Sequence, residues 1–367
     1  VSSGTHPLQG TTPAARRSRC RGVLGLAMAA LLALGASGAP ALELQAHRGG
    51  RGLWPENTLA AFDGALRLGV DTLELDVALT ADGVVVVSHD TALNAAHTRD
   101  AEGAWLAGDG PSIRSMTLAQ LQRHDVGRIR PGTAYARQFP DQAARDGERV
   151  PTLAAVFALV AARGADRVRF NIETKIDPTR PDATAPPEAM VRALLAEIER
   201  AGMARRVTLQ SFDWRTLSLA GALMPMLPRA YLTSTRGNLR DRRWTAGLDA
   251  ADFASTPALV QAAAGPGSGA GIDPGGDSNT GSGSNGKRSA SAGAVTWSPA
   301  AGDVTAADVR EAHALGLGVV PWTVNDPAQM ARLIDLGVDG LITDRPDVLR
   351  DVMRERGLPL PIAPAGR

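Results

Sequence analysis

From Leu42 onward, short extended-looking apolar runs take turns with stretches whose apolar positions recur at helical spacing. The runs predict strands at 43–47, 72–77, 168–173, 207–211, 229–232, 294–298, 318–323 and 340–343. Between the first two, Leu59, Phe62 and Leu66 fall at the three- and four-residue intervals of one helix face. Further helices are expected over 152–163, 187–202, 213–223, 304–315, 327–336 and 346–356. Gly164, Gly202, Gly316 and Gly337 stand where four of these need a C-terminal cap. Eight strand–helix units between residues 42 and 355 fit a (β/α)8 TIM barrel with a small insertion after the second strand. An open, doubly wound sheet is the alternative, because periodicity does not show closure.

Two segments break the alternation. Residues 91–150, rich in Arg, Asp and Gly, part the second strand from its helix and read as an inserted subdomain over the barrel mouth. Residues 265–293 are dominated by Gly, Ser and Asn, with too little apolar surface to offset the entropy of ordering, and predict a flexible loop.

Ahead of the barrel, Arg16, Arg17, Arg19 and Arg21 precede an apolar stretch at 23–34 and the small residues Ala36-Ser37-Gly38-Ala39. This is the layout of an export signal, expected to span 1–41 with loose residues at its start and cleavage near 38–41. The apolar stretch is short for a bilayer span. An uncleaved anchor is the alternative; Arg16-Arg17 fits a twin-arginine signal poorly. The expectation is export to the periplasm or medium, with no stable membrane span in the mature form.

Charge changes the picture once the signal is set aside. The whole chain carries 39 basic and 38 acidic residues, but 1–41 holds four arginines and no acid, so the remainder is net negative. Neither this balance nor any basic run supports nucleic-acid binding. The one cysteine, Cys20, lies in the signal, which removes disulfides and thiolate chemistry from the mature protein.

Candidate chemistry collects where predicted strands end. His47-Arg48 close the first, Glu74 and Asp76 lie on the second, and Glu173 and Lys175 close the third. Trp322 and Asn325 follow the seventh, and Thr343-Asp344 end the eighth. In a barrel these ends form one rim, so residues scattered in sequence converge. Glu74 and Asp76, two apart on a strand, face the same way. With Glu173 they offer an all-oxygen site suited to Ca²⁺ or Mg²⁺. Carboxylates among Leu73, Leu75 and Val77 would be costly if buried without a partner. His89 follows the apolar run 84–87. Glu56 reads as part of a helix start, with Asn57 or Thr58 as the cap. His97, His124 and His313 lack such company and read as structural or solvated.

Eight pieces in chain order carry a resemblance. They are His47-Arg48-Gly49-x5-Pro55-Glu56-Asn57-Thr58, Glu74-x-Asp76-Val77, Thr80-x-Asp82-Gly83, His89-Asp90, Asn171-Ile172-Glu173-x-Lys175, Gln210-Ser211-Phe212, Trp322-Thr323-Val324-Asn325 and Thr343-Asp344-Arg345-Pro346. From Gln45 to Leu349 the chain resembles the glycerophosphodiester phosphodiesterases. The resemblance implies a (β/α)8 barrel with an insertion after the second strand. It also implies hydrolysis of a small-molecule glycerophosphodiester to glycerol 3-phosphate and an alcohol, using one divalent cation. Carried over residue by residue, His47 and His89 would be the acid/base pair and Glu74, Asp76 and Glu173 the metal ligands. Arg48, Lys175, Gln210 and Trp322 would bind substrate. Thr174 departs from the family's usual aliphatic residue. Lys175-Ile176-Asp177-Pro178 would form a loop that tunes the leaving group.

The chemistry agrees with these roles. A phosphodiester anion resists attack, so a cation and Arg48 must offset the charge that builds in the transition state. One histidine must take a proton from the nucleophile while the other gives one to the leaving alkoxide. Which does which stays open, as does the nucleophile: the substrate's own glycerol hydroxyl, through a cyclic phosphate, or water directly. Barrel relatives that cleave intact phospholipids (phospholipase C-like and sphingomyelinase D-like enzymes) are the enzymatic alternative. An inactive scaffold is the non-enzymatic one. No obligate protein partner is evident.

Overall fold

The computed structural model describes residues 42–265 and 293–365. The signal expected at 1–41 and, apart from its two end glycines, the flexible loop expected at 265–293 lie outside the described residues. The strands are β1 Glu43–Ala46, β2 Thr72–Leu79, β3 Val85–Val87, β4 Arg169–Thr174, β5 Val207–Ser211, β6 Arg229–Thr233, β7 Val295–Pro299, β8 Gly318–Val319 and β9 Gly340–Thr343. All but β3 run parallel, in the order β8-β7-β6-β5-β4-β2-β1-β9.

The last seam is irregular. Asp339 donates its N–H to Val319 O, Ile342 to Pro321 O, and Val324 to Ile342 O, at 2.9, 3.0 and 2.9 Å. Pro321 has no N–H with which to complete a regular ladder, so β8, the seventh barrel strand, is shorter than the expected 318–323. The ring is nonetheless a (β/α)8 barrel.

The helices are α1 Leu59–Leu68, α2 Leu118–Leu121, α3 Ala134–Gln138, α4 Leu153–Ala162, α5 Pro187–Arg200, α6 Trp214–Leu223, α7 Thr256–Ala264, α8 Ala306–Ala314, α9 Pro327–Asp335 and α10 Pro346–Glu355. Most barrel helices begin on a hydroxyl or carboxylate that accepts a backbone N–H of the first turn: Thr58, Thr152, Asp213, Ser255, Thr305 and Asp326. The four glycines expected at helix ends all have positive φ.

Alternation along the strands separates two layers. Leu44, Leu73, Leu75, Phe170, Ile172, Leu209, Tyr231 and Trp297 join one apolar core with helix residues such as Phe62, Val156, Leu194 and Leu217. The intervening positions point into the barrel and are largely polar. Asn171 donates to Gln45 and Gln210 at 2.8 and 3.0 Å, and Gln210 donates to Glu74 at 2.5 Å. This amide chain pairs the buried Asn171 and Gln210 donors, while Asn171 Oδ1 stays without a partner. Thr174 is satisfied likewise: its hydroxyl meets those of Ser211 and Thr216, each at 2.9 Å.

The second strand turns at Thr80-Ala81-Asp82-Gly83 into β3, which pairs with it antiparallel, Val77 against Val87. Residues 91–150 then run mostly without regular structure around a small apolar cluster in which Leu93, Ile113, Met116, Leu121 and Val150 join Ala78 of β2 and Val86 of β3. The far end of this segment is tied to the loop after β1. Ala143 N–H donates to Leu53 O, Gln142 Nε2 to Arg51 O, and the Arg51 guanidinium lies 4.8 Å from the Phe139 ring centre.

Candidate active site

The first strand stops at Ala46, one residue earlier than the pattern predicts, and His47–Gly49 form a 3-10 turn. Arg48 is left-handed there, with φ 51°. Gly49, at φ 78°, passes so close to α1 that a Cβ would sit 2.9 Å from that of Ala61. The turn lets Arg48 point two groups inward. Its N–H donates to Glu74 Oε2 at 2.8 Å, and its guanidinium donates to Glu56 at 2.8 Å and lies 3.3 Å from Asp76. Burial works against the guanidinium's charge, but Glu56, Asp76 and Glu74 outweigh it and hold Arg48 protonated.

Registry brings the acids together. Asp76 stands opposite Glu173 in the β2–β4 pairing, and Glu173 opposite Gln210 in the next. Glu74, Asp76 and Glu173 are all buried, with oxygens within 4.8 Å of one another. Burial and the neighbouring Asp76 push Glu74 well above the usual carboxylate range, and burial pushes Glu173 to about 7 despite Lys175 at 2.6 Å. Asp76 is held low: burial opposes its charge, but Arg48, His89 and Lys175 prevail. Its Oδ1 is buried without a hydrogen-bond partner, while Oδ2 accepts from Asn57 at 2.9 Å. Three crowded carboxylates, two of them resisting ionisation and one with an orphaned oxygen, fit a hard divalent cation.

Two imidazoles flank this cluster, and each rests on a carboxylate. His47 Nδ1 lies 2.5 Å from Asp344 Oδ1, and its Nε2 faces Glu74 at 4.0 Å. His89 Nδ1 lies 2.9 Å from Asp90 Oδ1. Burial lowers both rings. Asp344 partly opposes this at His47, while Lys175 and Arg48 help take His89 to about 4. Burial thus favours the neutral form of both rings. With Nδ1–H directed at a carboxylate, each leaves Nε2 as the nitrogen free to accept a proton.

His47, Arg48, Glu74, His89, Glu173, Gln210 and Trp322 line one pocket of about 130 Å³. Lys175 sits beside it, 3.7 Å from Asp76. Gln210 reaches Glu74 rather than open space, so its amide orients that carboxylate. Trp322 stands edge-on to Phe212, with ring centres 5.2 Å apart, and donates its indole N–H to Ser298 O.

Other members have contacts at the site that the sequence does not reveal. Glu56 does not start the helix; it is a buried partner of Arg48 and lies 3.9 Å from Arg51. The cap is Thr58, and Asn57, at φ 56°, serves Asp76 instead. Asp344 accepts from Arg51 and Asn325 at 2.7 Å each, besides holding His47. His97, expected to be structural or solvated, has a structural contact that bears on the site. It lies 3.3 Å from Asp90 Oδ2, on the carboxylate that holds His89. The available signal was the pairing of His89 with an adjacent Asp, which implies a further donor on the acid's second oxygen.

Comparison with known proteins agrees with this geometry. The model of the glycerophosphoryl diester phosphodiesterase family matches residues 47–348. The chain belongs to that family. A glycerophosphodiester phosphodiesterase of Caldanaerobacter subterraneus subsp. tengcongensis is 28% identical over 316 residues, covering 85% of this chain and 98% of the relative. A crystal structure from Silicibacter pomeroyi, assigned to the same family, is 35% identical with a TM-score of 0.72, covering 88% of this chain and 96% of that one. An Oleispira antarctica phosphodiesterase, solved with its product sn-glycerol-3-phosphate, shares the fold at 22% identity and a TM-score of 0.56, over 86% and 97% of the two chains. As a family member the chain is a phosphodiesterase built on a TIM barrel. No helix among the described residues is long and apolar enough to cross a membrane.

Proposed function

We propose that the protein hydrolyses glycerophosphodiesters to sn-glycerol 3-phosphate and an alcohol, with His47 and His89 as the acid/base pair. What supports this most directly is one small pocket lined by two carboxylate-backed imidazoles, a buried arginine and the acids Glu74 and Glu173, with Asp76 clustered against them. Glu74, Asp76 and Glu173 would hold a divalent cation, Ca²⁺ or Mg²⁺, which when bound supplies positive charge to the phosphate oxygens. Arg48 and Lys175 bind the remaining phosphate charge. One imidazole takes the proton of the attacking hydroxyl through Nε2, and its carboxylate stabilises the imidazolium that forms. The other, protonated as the phosphate anion enters, gives its proton to the leaving alkoxide. If the substrate's own glycerol hydroxyl attacks first, the two exchange roles when water opens the cyclic phosphate.

Phospholipid cleavage finds less support. Among the described residues the exposed large apolar side chains are Leu223, Met226 and Ile362. Leu223 and Met226 precede β6, at the barrel face opposite the site, so they form no apolar lip for acyl chains. The arginine-led apolar stretch at 16–34 supports export, and action outside the cytoplasm is part of the proposal.

The test is release of glycerol 3-phosphate from glycerophosphocholine by the purified chain, with and without EDTA. Release that EDTA stops and added Ca²⁺ or Mg²⁺ restores is expected. His47→Ala and His89→Ala should each lower kcat by roughly 10²–10⁴ with the fold retained. Near-wild-type turnover in either variant overturns that histidine's assignment.

A further inference from the structure

Beyond the inner pocket lies a larger cavity of about 370 Å³, and the two share His89, Glu173 and Phe212 as a common wall. An inner space of about 130 Å³ is too small for a whole glycerophosphodiester. It is built from residues of the family motifs, so it suits the glycerol phosphate common to every substrate. The variable alcohol then falls in the outer cavity. Two of that cavity's walls lie outside those motifs: Asp109 in the inserted segment and Trp244 between β6 and α7.

The chemistry of these walls is one-sided. The two permanent cations lining the outer cavity are already engaged. Lys175 is held by Glu173 at 2.6 Å and Arg180 by Asp177 at 2.7 Å. Asp109, by contrast, is exposed and makes no hydrogen bond or ion pair among the described residues. Trp244 is half-buried, and its ring has no aromatic or cationic partner among them. A free carboxylate and a free indole in one cavity favour an organic cation, and no free cation is there to favour an anion.

Resting on the reading above, we propose that the outer cavity is a head-group subsite for alcohols bearing an ammonium group, with Trp244 supplying the ring face and Asp109 the countercharge. The chain then discriminates among glycerophosphodiesters by the charge of the group it releases.

The experiment compares kcat/KM for glycerophosphocholine, glycerophosphoethanolamine and glycerophosphoglycerol, each followed by glycerol 3-phosphate release. The ammonium diesters should exceed the neutral one by roughly fivefold or more. Asp109→Asn and Trp244→Leu should each shrink that ratio, and raised salt should shrink it in the wild type. Asp109 is exposed, so its variant keeps the test sound if Trp244→Leu folds poorly. A ratio near one, or a ratio unchanged in Asp109→Asn, overturns the subsite while leaving the hydrolytic reading intact. No glycerol 3-phosphate from any diester overturns that reading, and the subsite with it.

Discussion

Asp344 is the residue on which His47 depends. Its Oδ1 takes both His47 Nδ1 and Arg51 Nε, and its Oδ2 takes Asn325. The imidazole is thus fixed in ring orientation and tautomer before substrate arrives, and any imidazolium finds its counter-ion in place. Asp344→Asn removes the counter-ion while keeping the shape. It is expected to lower kcat by roughly 10²–10⁴ with little change in KM, read by steady-state kinetics. His97→Gln should cost less than Asp90→Ala, because it loosens only one of the contacts that orient Asp90. Equal losses would show that His97 does more than hold that carboxylate.

Three histidines differ in how far the sequence exposes them. His47 and His89 stand at strand ends, where a barrel puts its chemistry, so position alone marked them. His97 sits in Ala95-Ala96-His97-Thr98, with no periodicity around it, and its partner is reached only through the folding of the inserted segment. Asn57 was hidden for another reason. Its neighbour Thr58 is an equally good cap, and only the left-handed backbone at Asn57 frees its amide for Asp76.

Among the elements, β2 carries the most. Its inward positions supply Glu74 and Asp76, its outward ones Leu73, Leu75 and Val77, and its end turns into the inserted segment. That division was legible because a strand with one polar and one apolar face keeps a strict two-residue period. The short β8 was not, since Pro321 is as apolar as its neighbours and differs only in lacking a donor.

Just ahead of β2, Asp71 accepts the backbone N–H of Leu44 at 2.8 Å, joining the first two strands. Burial, helped by Glu43, pushes its carboxyl up to about 6. Between the ordinary value of 3.8 and about 6 the unfolded chain has lost this proton while the folded one still holds it. Stability from this group therefore falls as pH rises through that window. Asp71→Asn keeps an acceptor for Leu44 and removes the buried charge. It should raise stability above pH 6 by about 1–2 kcal/mol and bring no gain near pH 4, as denaturant titrations at the two pH values would show.

For the whole molecule, the crowded carboxylates link cation binding to folding. Without a cation, burial and crowding hold Glu74 and Glu173 against ionisation beside the charged Asp76. A cation that binds only the folded chain adds stability in proportion to the logarithm of its concentration, about 2.7 kcal/mol at a hundred times Kd. Thermal melts should therefore rise by several degrees on adding Ca²⁺ or Mg²⁺ to EDTA-treated protein. Asp76→Asn should lose most of that response. A melting temperature indifferent to cation in the wild type would remove these three acids as a metal site.

The clasp between Asp344 and His47 also has a meaning in time. Its two halves lie 297 residues apart, one at the end of the first barrel strand and the other at the end of the last. On the ribosome, the histidine emerges long before the carboxylate that orients it. A nascent chain can thus display most of the catalytic groups and still lack a poised one. Competence therefore requires the final strand to be docked beside the first. A chain lacking residues 340–344 would thus be expected to lack activity, because His47 would have no carboxylate to orient it.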